Sequence, residues 1–248
     1  MAFAWRRALV VGASSGIGAA VARELGAAGV AVALVARRAA ELDGVARAIA
    51  DAGGSARVWV HDVTHGEEVA ALFATIVREM GGLDLVVYAA GVMPRTPPDT
   101  YDLARDRETV LVNFLGAVAW LNEAAARFGR AGAGTIVGIG SVAGDRGRRG
   151  QPVYGATKAA LATYLDALRH RLARRGVAVV TVKPGPVDTA MTRGLDRVPF
   201  RVSAEAAAKA LLAAAAARAR TAYVPRRWRP IMFVVRRIPA PVFERLDL

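Results

Sequence analysis

The sequence predicts an α/β fold: one doubly wound, parallel, seven-stranded sheet with helices on both faces. Three observations carry this. Seven short runs are apolar or β-branched without polar alternation, the pattern of strands buried on both sides. Longer alanine- and leucine-rich stretches separate them, which gives the βαβ rhythm of a single domain. The first run also opens into a glycine-rich turn directly before a helical stretch, the order a nucleotide-binding unit requires.

In chain order the strands are ALVV (8–11), VAVALVA (30–36), ARVWV (56–60), LDLVVY (83–88), GTIVGIG (134–140), VAVVTV (177–182) and AYV (222–224). Helices are expected near 16–28, 39–52, 66–80, 101–129, 153–175 and 203–219. The last of these is alanine-rich and helical by propensity rather than disordered. No repeat or linker interrupts the series, so residues 1–224 form one domain and residues 225–248 an appended tail. The opening MAFAWRRALVVGASSGIGAAVA has the charged-then-apolar order of a signal peptide, but GASSGIG breaks the apolar run, and no spanning helix is expected.

Composition narrows the function. A chain that is 54% hydrophobic and 22% charged can bury a core, which excludes disorder. Without cysteine there is neither a disulfide nor a thiolate-held metal. The closely spaced His61 and His65 bracket a strand end rather than one helix face, so no metal site is expected. The net charge of +13 comes from arginines scattered along the chain, the lysines being Lys158, Lys183 and Lys209 alone. With 6% aromatics and no recognisable module, nucleic acid is not an expected partner.

The chemistry gathers at strand ends. In Gly12-Ala13-Ser14-Ser15-Gly16-Ile17-Gly18, Gly12 permits a tight turn, Gly16 lets the backbone approach a pyrophosphate, and Gly18 allows close helix–strand packing. The second strand ends in Arg37 and Arg38, where an NAD-selective site carries a carboxylate for the ribose hydroxyls; an arginine pairs instead with a 2′-phosphate. NADP(H) is therefore expected over NAD(H). Asp62, after the third strand, is placed to meet an adenine amino group or to cap a helix. Tyr154 and Lys158 stand four apart at a helix start and share a face, so the ammonium can depress the phenol pKa. Ser141, at the end of the fifth strand, can hydrogen-bond a carbonyl oxygen that the tyrosine protonates.

On these motifs the chain resembles a short-chain dehydrogenase/reductase of the simple, roughly 250-residue, Rossmann-type kind, from Arg7 to Tyr223. The resemblance implies Ser141, Tyr154 and Lys158 as the catalytic set, with Asn113 in LVNFLGA holding a water for proton resupply. It implies cofactor contacts from Gly12, Ser14, Ser15, Gly16, Ile17, Gly18, Arg37, Arg38, the adenine-side pair Asp62-Val63, Ala90, Gly91, Tyr154 and Lys158. Pro184, Gly185, Val187 and Thr189 of PGPVDT would line the nicotinamide side. The family's Asn-Asn-Ala-Gly is Tyr88-Ala89-Ala90-Gly91 here, and its threonine before Gly12 is Val11. The implied activity is reversible hydride transfer between NADP(H) and a ketone or secondary alcohol, in a homodimer or homotetramer. The alternatives are a catalytically idle NADP(H)-binding interaction protein and a peripheral membrane protein, each on the same fold.

Three segments bear on the substrate. DRGRRG (145–150) lies between Ser141 and Tyr154 and sets three arginines against Asp145, enough to receive a phosphate or carboxylate or to form a solvated basic loop. MTRGLDRVPFRV (191–202) occupies the family's substrate lid. In the tail, a helix over 228–238 puts Trp228, Ile231, Met232, Val235 and Ile238 on one face and Arg229, Arg236 and Arg237 on another, with Pro239 and Pro241 ending it. Six arginines against Glu244 and Asp247 leave the tail at +4. Such an element closes a greasy pocket, packs on a second subunit, or lies on an anionic membrane as a peripheral contact. The tail and the loop together give a narrower resemblance to decaprenylphosphoryl 2-keto-pentose reductase-like members, whose ketone is lipid-linked; keto-sphingoid and 3-oxoacyl substrates fit the same features. The expected location is the cytoplasm, with peripheral contact at the inner membrane surface.

Overall fold

The computed structural model describes residues 3–95, 97, 99–194 and 199–246. Seven strands make one parallel sheet in the order β3-β2-β1-β4-β5-β6-β9. They are β1 (Arg7–Val11), β2 (Ala31–Ala36), β3 (Ala56–Val60), β4 (Leu85–Tyr88), β5 (Gly134–Ile139), β6 (Val177–Pro184) and β9 (Thr221–Val224). Between β6 and β9 a small parallel pair forms from β7 (Val187–Asp188) and β8 (Val202–Ser203).

Why the strand runs are apolar throughout is visible in β1, whose residues face opposite ways in turn. Ala8 and Val10 pack toward α1 (Gly16–Ala27), α2 (Ala39–Asp51) and α7 (Ala204–Ala216). Leu9 and Val11 pack toward α3 (Val69–Met80), α5 (Gly116–Ala131) and α6 (Pro152–Leu172). Each face thus buries its own layer, the first small and alanine-rich, the second built on Trp120, Phe128 and Phe73.

The expected helix over 101–129 is one rod with a defect. Asp102 caps α4 (Leu103–Val110) by accepting from the Ala104 and Arg105 amides at 3.1 and 3.2 Å. A π-turn over Leu111–Leu115 then widens the rod before α5 continues it. The rod Leu103–Ala131 is long and apolar enough to cross a membrane by length and composition; Trp120, Leu121 and Phe128 on it belong to the sheet-facing core. The π-turn carries Asn113, and such insertions recur at functional sites.

The tail differs from its expected form. Helix α8 spans Trp228–Val235, three residues shorter than expected, and Pro239 caps a second short helix, α9 (Ala240–Phe243). Proline fits a helix's first turn, where no amide is needed, so Pro230 sits within α8 and Pro241 starts a helix rather than only ending one. Trp228 and Met232 are buried against Val142, with Ile231, Val235 and Tyr223 packed around them. The apolar face foreseen in the sequence thus lies on the chain's own body, beside the loop after β5.

Candidate active site

The C-terminal ends of the strands surround one cavity of about 670 Å³. It opens where β1 lies between β2 and β4, the point where strand order reverses and open α/β sheets place their ligands. Of the expected catalytic and cofactor-binding residues, all line this cavity except Gly18 and Asn113, which stand behind its wall.

The glycine loop is set by backbone contacts. Gly12 has φ +88° and donates to the Val35 carbonyl at 2.7 Å; a Cβ on it would overlap the Ala90 backbone. A Cβ on Gly18 would overlap the Gly12 carbonyl, so helix α1 sits as close to the turn as a backbone permits. At the end of β2, Arg38 donates through Nη2 to the hydroxyls of Ser14 at 2.8 Å and Ser15 at 2.7 Å, with Glu41 3.4 Å from Nη1. The guanidinium is thereby held over the loop that follows β1. Asp62 accepts from the Thr64 amide at 3.0 Å and hydroxyl at 2.9 Å, and Arg37 stands 3.7 Å away. Burial raises its pKa, but the Thr64 hydrogen bonds and the Arg37 and His65 charges outweigh that and hold the carboxyl below the usual range. Asp62 therefore braces its own turn rather than capping a helix.

Around the chemistry, Ser141, two residues past β5, accepts from the Ala143 amide at 3.1 Å, which leaves its own proton free to donate. Ser141 stands close enough to Tyr154 to favour its phenolate. Lys158, 5% exposed, donates to the Ile139 carbonyl at 2.9 Å, and its Nζ lies 5.7 Å from the centre of the Tyr154 ring. The expected electrostatics differ here. Burial raises the Tyr154 pKa, the nearby Ser141 hydroxyl offsets this in part, and the lysine, turned to the Ile139 carbonyl, does not reverse the sign. Tyr154 therefore keeps its phenolic proton in this state.

Burial pushes the Lys158 ammonium down to about 8. A lysine whose folded pKa lies below its unfolded value binds its proton more tightly when unfolded, so its contribution to stability rises as pH climbs from about 8 toward 10.5. Over that window the wild-type melting temperature is expected to rise relative to that of Lys158→Met. A constant difference between the two would show that the ammonium is not desolvated.

Asn113, fully buried, donates from Nδ2 to the Val92 carbonyl at 2.9 Å and to Thr157 Oγ1 at 3.2 Å, and its Oδ1 accepts from the Val92 amide at 2.7 Å. Its side chain ties the loop after β4 to α6 rather than facing the cavity. Where the family has asparagine, Tyr88 sends its hydroxyl to the Val112 carbonyl at 2.6 Å, inside the π-turn.

The tail face, the basic loop and the lid segment singled out in the sequence each send residues to this cavity, and Met93 joins them without a signal in the sequence. Trp228, Ile231 and Val235 of α8 form a wall with Phe200, and Met93 and Arg148 complete it. Trp228 sits against Gly185, where a Cβ would overlap the indole, and meets Phe200 edge-on with ring centres 5.8 Å apart. The 3–4 spacing in the tail announced an apolar face; its docking place is decided by the bare backbone of Gly185. The basic loop also rearranges relative to expectation. Asp145 does not face the arginines but pairs with Lys183 and accepts from the Tyr223 hydroxyl at 2.7 Å, while Arg146 reaches the Arg236 carbonyl at 3.4 Å. Of the expected lid, residues 195–198 lie outside the described residues. Among the described residues no three His, Asp or Glu side chains gather to hold a metal. His61 instead meets Trp120 edge-on.

Comparison with known proteins agrees with this geometry. The family model described as short chain dehydrogenase matches residues 6–198. A cis-4-hydroxycyclohexanecarboxylate dehydrogenase of Sinomonas cyclohexanicum is 39% identical over 210 residues, covering 84% of this chain and 82% of that one. An uncharacterized oxidoreductase of Staphylococcus epidermidis is 33% identical over 189 residues, covering 76% and 81%. Among solved structures, a short-chain type dehydrogenase/reductase from Mycobacterium ulcerans superposes with a TM-score of 0.82 at 29% identity, covering 90% and 89% of the two chains. An actinorhodin polyketide ketoreductase solved with NADPH gives 0.81 at 27% identity, covering 90% and 97%.

Proposed function

Since the chain belongs to the short-chain dehydrogenase/reductase family and is an oxidoreductase of alcohols and ketones, we propose that it uses NADP(H) and acts on a lipophilic ketone or secondary alcohol. The observation that carries the cofactor choice is Arg38, held by the Ser14 and Ser15 hydroxyls at a strand end that has no carboxylate. A 2′-phosphate replaces those hydroxyls' neutral oxygens with charge, which a guanidinium prefers. The cradle fits a dinucleotide in other respects. Gly12 and Gly16 would leave room for a pyrophosphate over the turn, Asp62 and Val63 would hold the adenine side, and Gly185, Val187 and Thr189 the nicotinamide side.

Bound NADPH supplies a hydride to the carbonyl carbon. This chain's residues handle the oxygen: Tyr154 gives its phenolic proton to the developing alkoxide, and Ser141 donates a preorganised hydrogen bond to the same atom. Lys158, its Nζ anchored on the Ile139 carbonyl beside the Tyr154 ring, would bind the nicotinamide ribose and hold positive charge next to the phenol. Asn113 acts as a positioning residue for the Gly91–Val92 loop. The wall of Trp228, Ile231, Val235 and Phe200 supports a lipophilic body, whether alicyclic, as in the name of the Sinomonas relative, or lipid-linked. Assembly into a dimer or tetramer through α5 and α6 belongs to the same reading, as does peripheral membrane contact through the exposed Phe233 and Val234.

The test is cofactor exchange on a ketone panel. Arg38→Asp is expected to lower kcat/KM for NADPH by about a hundredfold, the loss of a charge-assisted pair, and to raise that for NADH. A wild-type enzyme that uses both equally refutes the NADP(H) choice; binding of NADPH with no turnover of any ketone favours an idle cofactor-binding protein.

A further inference from the structure

We propose that Arg148 recognises the substrate, and that the substrate carries a carboxylate on the apolar body that bears its carbonyl or hydroxyl group. This rests on the reductase reading above and adds to it a substrate class.

Arg148 sits in the loop between Ser141 and Tyr154 and lines the main cavity with both. Together with Tyr154, Met93 and Ala143 it also lines a side cavity of about 160 Å³, so guanidinium and phenol border the same space twice. Its Nε is buried with no hydrogen-bond partner, and Nη2 lies 3.9 Å from the Met232 sulfur, a weak acceptor. Among the described residues no carboxylate comes within ion-pair distance of it. The acid three positions earlier, Asp145, is committed to Lys183 and Tyr223. Burial lowers the Arg148 pKa, with the Asp145 charge opposing.

A partly desolvated guanidinium held against a thioether costs stability, and a purely structural arginine would recover that cost through a neighbouring acid. Here the nearby acid is turned away and the charge faces the cavity that holds the catalytic groups. The guanidinium fork matches a carboxylate bidentately. Arg148 and the Lys158 ammonium share this end of the cavity, but Lys158 donates to the Ile139 carbonyl, so Arg148 offers the guanidinium fork that a carboxylate matches. Val142, Trp228, Ile231 and Val235 supply the apolar surface for the rest of the molecule.

Two measurements test this with the full chain, as wild type, Arg148→Met and Arg148→Lys. Calorimetric titration of cyclohexanecarboxylate and its methyl ester, with and without NADPH, reads binding alone. Turnover of 4-oxocyclohexanecarboxylate against its methyl ester reads kcat/KM. Wild type is expected to prefer acid over ester by about ten- to a hundredfold in both, through a charge-assisted pair. Arg148→Met should bring the ratio to within about twofold and Arg148→Lys should keep part of it, lysine retaining the charge without the fork. A wild type that treats acid and ester alike, or an unchanged ratio in Arg148→Met, overturns the proposal. The failures are distinguishable: acid-selective binding without turnover of any ketone removes the reductase reading and leaves the anion site standing, whereas turnover without acid selectivity does the reverse.

Discussion

Tyr154→Phe is expected to lower kcat for ketone reduction by about a thousandfold or more while NADPH affinity stays within about twofold. The substitution deletes one oxygen. The ring still fills its place in the wall, and Lys158 keeps its hydrogen bond to the Ile139 carbonyl, so the cavity retains its shape. What disappears is the proton for the developing alkoxide, together with the polar neighbour of Ser141. Fluorescence titration with NADPH and single-turnover kinetics separate the two effects. A variant that keeps even about a tenth of wild-type turnover removes Tyr154 from the chemistry. Because burial raises this phenol's pKa, reduction, which needs the phenol, is expected to hold at neutral pH, and alcohol oxidation, which needs the phenolate, to gain as pH rises.

Gly12→Ala is expected to cost about 3–5 kcal/mol, combining left-handed backbone strain with overpacking against a rigid neighbour, and to abolish NADPH binding. The new methyl would overlap the Ala90 amide, which is backbone and cannot swing aside. Gly29 provides the control: its φ of +79° is similar, and nothing lies within 4 Å of where its Cβ would stand. Gly29→Ala should therefore lose only the strain, about 1 kcal/mol, and bind NADPH normally. For a chain of this size the first change lowers the melting temperature by about 10 °C and the second by about 3 °C. Equal losses in the two would mean that strain rather than crowding governs the turn.

How far the sequence alone reached depends on the range over which each feature is decided. The strands were legible because burial on both faces leaves uninterrupted apolar runs, as in β1 and β6. Tyr154 and Lys158 were legible because a helix brings residues four apart to one face. The sign of the tyrosine's pKa shift was not, since it depends on depth of burial and on where the ammonium points, and Lys158 turns to Ile139 on another element. The loss of the family's asparagines was plain in the sequence, but its replacement was not. Tyr88 reaches Val112 across 24 positions, and only because Gly116 has no side chain under the hydroxyl. Arg148 stood among three arginines in one loop, and nothing local distinguishes them. Their separation comes from Asp145 turning toward β6 and β9.

The docking of Trp228 on Gly185 has a consequence for the order in which the protein is completed during synthesis. The glycine turn, Asp62, Ser141 and Tyr154 all precede residue 198, the end of the family match, whereas the wall of Trp228, Ile231 and Val235 follows it. Translation delivers the N-terminal elements first, so the glycine turn and Tyr154 emerge well ahead of the wall that α8 adds to the cavity. Until α8 settles, the nascent protein has a reductase's machinery with one side of the active site open to water. A released chain that ends after β9 should therefore take up the dinucleotide and discriminate poorly among ketones.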